Sequence, residues 1–318
     1  MRWPGSSFLG GKTEKQSAAA PAAVRVTGPL ARFTPPDDLV AAMQKWECVL
    51  VAGEQLSVAS AVLPWSKLLR SLTDWLSETG ALTDLVANQI RSCAVKGDID
   101  GAWKLLLPGM KGREAAVLEY ARSAYMRSSP LTKIHETLAK LNFSGVITPN
   151  LDWMLEKAFA HREPQCIGPS ETASFARGFC VLKLRGVWER PETIQLDPQT
   201  AASTNLRDDS YRTFIEATHA VHRMIFVGIS PAETGRILDG LNWRKHPKQH
   251  LYVLAAIPAD NKVVRKAWEQ LQAGYGFTLL TYAPGDSATV CQFLEKLLPP
   301  VTPDEGQGEE AIASAESP

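Results

Sequence analysis

The chain has no long apolar run, no surplus of either charge and no closely paired cysteines, and each lack excludes a class of protein. Its longest apolar runs, such as Cys48 to Ala52 and Met224 to Ile229, fall far short of the roughly 20 residues that cross a bilayer. No membrane span and no membrane partner are therefore expected. Lys and Arg number 34, as do Asp and Glu, for a net charge of zero. Strong nucleic-acid binding is not expected, because it needs basic residues in surplus on one face. The five cysteines (Cys48, Cys93, Cys166, Cys180 and Cys291) contain no C-x-x-C pair, which argues against a zinc ribbon or a disulfide framework. Cys48 and Cys180 open apolar runs and read as small core hydrophobes. Met1 to Phe33 lacks the continuous apolar core of a secretory signal, and a cytoplasmic location is expected. No internal repeat is evident.

What is present is an ordinary globular composition, 45% hydrophobic and 21% charged over 318 residues. Residues 1–36 hold Gly, Ser, Pro and an Ala-rich run without periodicity, and 299–318 form a Pro-, Glu- and Ala-rich acidic tail. Both are expected to be disordered. Between them, 37–298 reads as one domain. Strand candidates are Glu47–Ala52, Gly145–Thr148, Phe179–Leu184, Thr193–Leu196, Met224–Ile229, Leu251–Ala256 and Phe277–Tyr282. Several are apolar at consecutive positions, as in strands buried on both faces. Helical spacing joins Leu68, Leu72, Trp75 and Leu76, then Phe214, Thr218 and Val221, then Val290, Phe293, Leu294 and Leu297. The alternation predicts an α/β fold: a doubly wound, Rossmann-like, mostly parallel sheet with helices on both faces. Residues 66–142 offer helical segments, punctuated at Lys96-Gly97-Asp98 and Pro108-Gly109, and no strand. They are expected to form a helical insertion after the first strand.

Ligands of such sheets sit beyond the carboxyl ends of the strands, so the residues directly after strands are the candidates for a site. These are Gly53, Glu54, Gln55 and Ser57 after the first strand, and Asn150 and Asp152 after the second. Arg185 and Gly186 follow the third, and Gly228 and Ser230 the fifth. Asn150, Asp152 and Ser230 also suit helix capping. His219 and His222 stand three apart on a predicted helix, but no third ligand has recognisable spacing, and no metal is expected.

In these residues the chain resembles the sirtuin-like domains, in particular a zinc-free bacterial branch that often cleaves NAD in anti-phage defence. That family opens with a strand followed by Gly-Ala-Gly-x-Ser and runs on to Ser-Trp and paired leucines. Gly53, Ser57, Ala59, Trp65, Leu68 and Leu69 fall in register with it. Its Thr-Thr-Asn-Tyr-Asp motif is matched by Thr148, Asn150 and Asp152, followed by Leu155 and Glu156. Its Leu-His-Gly is matched by Leu184 and Gly186 only, and its Gly-x-Ser by Gly228 and Ser230. The resemblance implies a cleft for NAD or an ADP-ribose-like nucleotide. Asn150 and Asp152 would hold the ribose and the nicotinamide amide, and Gly228 and Ser230 the adenosine ribose.

Two departures bear on activity. At the phosphate loop, glycines let backbone N–H groups approach a pyrophosphate, whereas this chain places Glu54 and Gln55 there. A carboxylate about 4 Å from a phosphate oxygen costs on the order of 1–4 kcal/mol at effective dielectrics of 80 to 20. The second departure is Arg185, which replaces the catalytic histidine of the family. Guanidinium, with a pKa above about 12, cannot accept the proton that imidazole accepts, and losing a general base costs about 10²–10⁴ in rate. Glu54 and Arg185 could also pair across the cleft.

Three readings follow from the resemblance and its departures. One is a catalytically impaired, NAD-related module acting as a regulatory or interaction protein with a protein partner or a second copy of itself. Another is an active NAD hydrolase with Asn150 as its main catalytic residue, rather than a deacylase, since the deacylating members carry a four-cysteine zinc module. The third is a receptor for an ADP-ribose-like nucleotide in which Arg185 clamps an anion.

Overall fold

A computed structural model of the chain describes residues 27–125, 129–205, 207–240 and 251–298. The segments 1–26 and 299–318, expected from composition to be disordered, lie outside the described residues.

Eight strands form one sheet: β1 (Thr27–Pro29), β2 (Cys48–Ala52), β3 (Phe143–Thr148), β4 (Gln165–Ile167), β5 (Cys180–Lys183), β6 (Arg223–Val227), β7 (Leu251–Ala256) and β8 (Thr278–Tyr282). Their order is β1-β8-β7-β6-β2-β3-β5-β4, and every pairing is parallel. Helix α1 (Asp37–Gln44) precedes β2. Between β2 and β3 run α2 (Glu54–Val58), α3 (Trp65–Glu78), α4 (Asp84–Val95), α5 (Ile99–Met110), α6 (Glu114–Tyr125) and α7 (Lys133–Ala139). The later helices are α8 (Met154–Ala158), α9 (Pro198–Asn205), α10 (Asp209–Val221), α11 (Pro231–Gly240), α12 (Lys262–Tyr275) and α13 (Ser287–Glu295). This is the doubly wound α/β architecture that the alternation of strands and helices predicts.

The strands are buried on both faces because their residues alternate between two apolar layers. In β2, Leu50 joins one layer with Met43, Phe143, Phe159 and Phe293, while Val49 and Val51 join the other with Met224, Phe226, Trp268 and Phe277. A third core lies within the segment between β2 and β3. There Leu68, Leu72, Trp103, Leu106 and Val117 pack on Met154, Trp188, Ile194 and Leu196 of the sheet domain. Helix α3 owes its orientation to Leu68, Leu69, Leu72 and Leu76, which share a face and are buried.

Four sequence expectations need correction. Thr193–Leu196 is not a strand: Pro191–Thr193 is a turn of 3₁₀ helix, and Ile194 and Leu196 are buried because they face the third core. Pro108-Gly109 does not break a helix, since α5 runs through to Met110 and Pro108 lies in its last turn. The N-terminal segment given as 1–36 contributes β1, which pairs with β8, and Leu30, which is 1% exposed. β4 is an additional strand, paired with β5 at the sheet edge.

The chain starts the central sheet at β2, adds β3 and β5 on one side, then returns to add β6 on the other. The topological switch point therefore lies between β2 and β6, where a doubly wound sheet opens its ligand crevice.

Candidate functional site

At the switch point the chain closes on itself. Gly53 N–H donates to Val227 O at 3.0 Å and Gln55 N–H to Gly228 O at 3.0 Å, carrying the β2–β6 contact beyond the strands. Two glycines permit this approach. A Cβ on Gly53 would stand 2.6 Å from Ile229 Cα and nearer still to Gly228 O. Gly228 has φ +70°, and a Cβ there would stand 2.7 Å from Leu56 Cγ.

Beside this contact lies a cleft of about 240 Å³, walled by residues from the turns after β2, β3, β5 and β6 and by the helices between β2 and β3. Of the residues singled out in the sequence, Glu54, Ser57, Asn150, Asp152, Arg185 and Ser230 line it. Gln55 and Gly228 line a separate hollow of about 630 Å³ with Leu56, Trp268 and Tyr282, which Ser230 also borders. Gly53 serves the β2–β6 contact. Gly186, at φ +90°, packs where a Cβ would lie 2.7 Å from Thr193 Oγ1 and nearer to its carbonyl.

Each of the six cleft residues is held by a structural bond, Ser230 by accepting the N–H of Glu233 at 3.3 Å. Thr148 Oγ1 donates to Ala52 O at 2.8 Å and accepts the N–H of Asn150 at 3.1 Å, tying the second turn to the end of β2. Asn150 Nδ2 donates to Ser57 Oγ at 3.1 Å. Asp152 Oδ1 accepts the N–H of Met154, the first residue of α8, at 2.9 Å. Beneath it, Lys183 Nζ meets Glu156 at 2.6 Å and also donates to Asp152 O. Burial alone would lower the Lys183 pKa, but Glu156 and then Asp152 outweigh it and raise it.

The pairing of Glu54 with Arg185 does not form. Glu54 Oε2 instead accepts the N–H of Trp65 at 2.8 Å, at the start of α3. Arg185 is 6% exposed, its guanidinium lies 4.2 Å over the Trp65 ring, and Nη2 meets Glu233 Oε2 at 3.3 Å. Glu233 also binds Arg236 at 2.8 Å, and Arg236 reaches Asp100 at 2.8 Å. A chain of alternating charges thus links the turn after β5, through α11, to α5. Burial works against the charge on Arg236, but Glu233 and Asp100 more than offset it and raise its pKa.

The sequence reading missed Tyr125, at the end of α6. Its ring stacks on Trp65 at 6.0 Å, the residue is 6% exposed, and it lines the cleft. Its hydroxyl makes no hydrogen bond among the described residues. Burial pushes its pKa well up, against Arg185 and with help from Glu54 and Asp152. Nothing in a linear reading places Tyr125 beside strand ends, because the packing of α3 on α6 brings it there.

The fit to a dinucleotide can be judged from these contacts. A pyrophosphate is held by free backbone N–H groups at a glycine-rich turn and helix N-terminus. Here Gln55 N–H is taken by Gly228 O, Trp65 N–H by Glu54 and Met154 N–H by Asp152. Of these, only Gln55 stands at the turn after β2, where a pyrophosphate would be held, and its N–H is already engaged; Trp65 and Met154 open α3 and α8. Among the described residues no cluster of three or more His, Cys, Asp or Glu is placed to hold a metal ion. The side chain of His219 lies outside the described residues.

Fold and site together define a doubly wound α/β protein with its cleft at the switch point. Within that class, residues 144–277 match the family model of the SIR2-like domain. The matched segment runs from β3 through α12 and holds Asn150, Asp152, Arg185, Gly186, Gly228 and Ser230. No curated protein matches the chain. Among the described residues no helix is long and apolar enough to cross a membrane.

Proposed function

We propose that the chain is an NAD-related, SIR2-like module whose NAD-cleaving chemistry is impaired and which acts as a regulatory or interaction protein. The observation that carries this reading is Arg185, buried in the cleft and held by Glu233 where the resemblance calls for a histidine. A guanidinium cannot take up a proton from a ribose hydroxyl or a water. The nearby carboxylates of Glu54 and Asp152 are engaged with backbone N–H groups. The engagement of Gln55 N–H by Gly228 O supports the same reading, because a pyrophosphate at the turn after β2 would compete for that donor.

The test is incubation of the purified chain with millimolar NAD, following nicotinamide release by chromatography. The expected result is no release above the spontaneous rate, together with a melting temperature unmoved by NAD or ADP-ribose. Release that disappears in Asn150→Ala would establish a hydrolase instead. A melting-temperature rise with ADP-ribose that vanishes in Arg185→Ala would establish a nucleotide receptor.

A further inference from the structure

A further hollow, of about 650 Å³, lies at the other end of the sheet and shares no lining residue with the cleft among the described residues. The cleft follows the carboxyl ends of the strands. This hollow is bordered instead by Ser144, the second residue of β3, and by His222, the residue before β6. Its walls are α10, through Phe214, Ala217 and Val221, and the 3₁₀ segment Pro169–Arg177, through Thr172 and Phe175. A glycine makes room for the Phe175 ring. A Cβ on Gly145 would stand 2.8 Å from Phe175 Cε1 and nearer still to Cζ, so β3 can take the ring only where it has no side chain.

The walls are aromatic and apolar. Phe175 and Phe214 stand 4.7 Å apart, tilted by 57°, and such a pair offers faces and edges to a third ring. Val221 is 59% exposed and Ala217 is exposed beside it on α10, so this apolar surface is left uncovered. The charge among the described lining residues is that of Asp209, which pairs with Arg212. Burial lowers the His222 pKa against the Thr218 backbone and Glu47, so its ring is neutral near pH 7. A charged ligand would therefore lose its hydration without meeting a counter-charge. Thr172 supplies an independent observation. It is 3% exposed and its Oγ1 has no hydrogen-bond partner among the described residues, although buried hydroxyls are normally satisfied. The hydroxyl of Thr218 is spent on Phe214 O and that of Ser144 on Cys48 O, which leaves Thr172 to meet an acceptor from outside. The volume falls within the range of about 300–1,000 Å³ usual for small-molecule sites.

We propose that the hollow between α10 and Pro169–Arg177 binds a small, uncharged, ring-bearing molecule, its ring against Phe175 and Phe214 and a hydrogen-bond acceptor on Thr172 Oγ1. The site is separate from the cleft, and the assignment does not depend on the loss of NAD chemistry there.

Three probes of one shape and different charge test it by calorimetry on the full chain: acetophenone, benzoate and benzamidine. Acetophenone is expected to bind at millimolar concentration, and the two charged probes at least about tenfold more weakly. Thr172→Val removes only an unsatisfied hydroxyl and keeps the shape of the side chain. It should weaken acetophenone several-fold while the melting temperature stays the same or rises. Ala217→Trp, at an exposed position of α10, fills the hollow and should abolish binding with the melting temperature unchanged. Four results would each overturn the assignment: no binding of acetophenone at millimolar concentration, a charged probe bound as tightly, or acetophenone bound like the parent by Thr172→Val or by Ala217→Trp. A fifth would be a dimer in sedimentation that Ala217→Trp dissociates, which would make this face a contact between copies of the chain.

Discussion

At the scale of single residues, polar side chains that look like binding groups are held in place by structural bonds. Asn150 and Asp152 were legible in the sequence because they stand directly after an apolar strand, and the structure puts both at the cleft. Their bonds to Ser57 and Met154 were not legible, because those depend on where two distant turns meet. Glu54 and Arg185 illustrate the same limit. Each was recognisable as a departure from the family pattern, but their partners, Trp65 N–H and Glu233, come from elements whose placement only packing decides.

His135, on α7, gives a pH prediction at this scale. It is fully buried, its Nδ1 lies 2.8 Å from Thr132 Oγ1, and its Nε2 has no partner. Burial depresses its pKa below 6.5, with Asp152 opposing. The folded protein thus binds the proton less readily than the unfolded chain does. The stability this residue contributes is present above about pH 6.5 and is lost as pH falls below it towards the folded-state value. Between about pH 7.5 and 5.5 the melting temperature of the parent should fall more steeply than that of His135→Gln, because only the parent carries this linkage. Parallel curves would show that other groups dominate.

At the scale of elements, the apolar runs that became β2, β6 and β7 were legible because burial on both faces leaves a near-continuous hydrophobic signature. β4 escaped because its first two residues are not buried, so an edge strand shows no such run. β1 is three residues set among Gly and Pro, and only its pairing with β8 makes it a strand. Thr193–Leu196 misled for the opposite reason: alternate apolar residues faced a helical core in place of a sheet face.

Helix α5 is coupled to α11 by the Arg236–Asp100 pair, whose side chains are 20% and 40% exposed. Screening at such a site limits its contribution to about 0.2–1 kcal/mol. Asp100→Asn should therefore move the melting temperature little. It should still raise amide hydrogen exchange in the first turn of α5, since local opening depends on such contacts. Unchanged exchange would show that packing on α3 and α4 alone holds α5 in place.

At the scale of the whole molecule, three apolar cores must close together, and the one between β2 and β3 borrows Met154, Trp188, Ile194 and Leu196 from the sheet domain. The helical segment and the sheet are thereby expected to unfold as one unit. The N-terminal strap is part of that unit. Leu30, directly after β1, packs with Leu280, Val290 and Phe293, and Leu30→Ala should cost about 2–5 kcal/mol in urea unfolding. A loss within the roughly 0.5 kcal/mol typical of surface sites would show that β1 is dispensable.

The position of β2 bears on how the chain reaches this state. It emerges early, yet its neighbours in the sheet are β3, where Cys48 meets Phe143, and β6, where Cys48 meets Arg223. Pairing at such sequence separations requires large loops to close before any contact rewards them. During synthesis the wholly apolar Cys-Val-Leu-Val-Ala segment has no β3 neighbour until Thr148 and no β6 neighbour until Val227 has been made. Slow refolding and a dependence on dilution or chaperones in the recovery of native protein follow from the placing of this one strand.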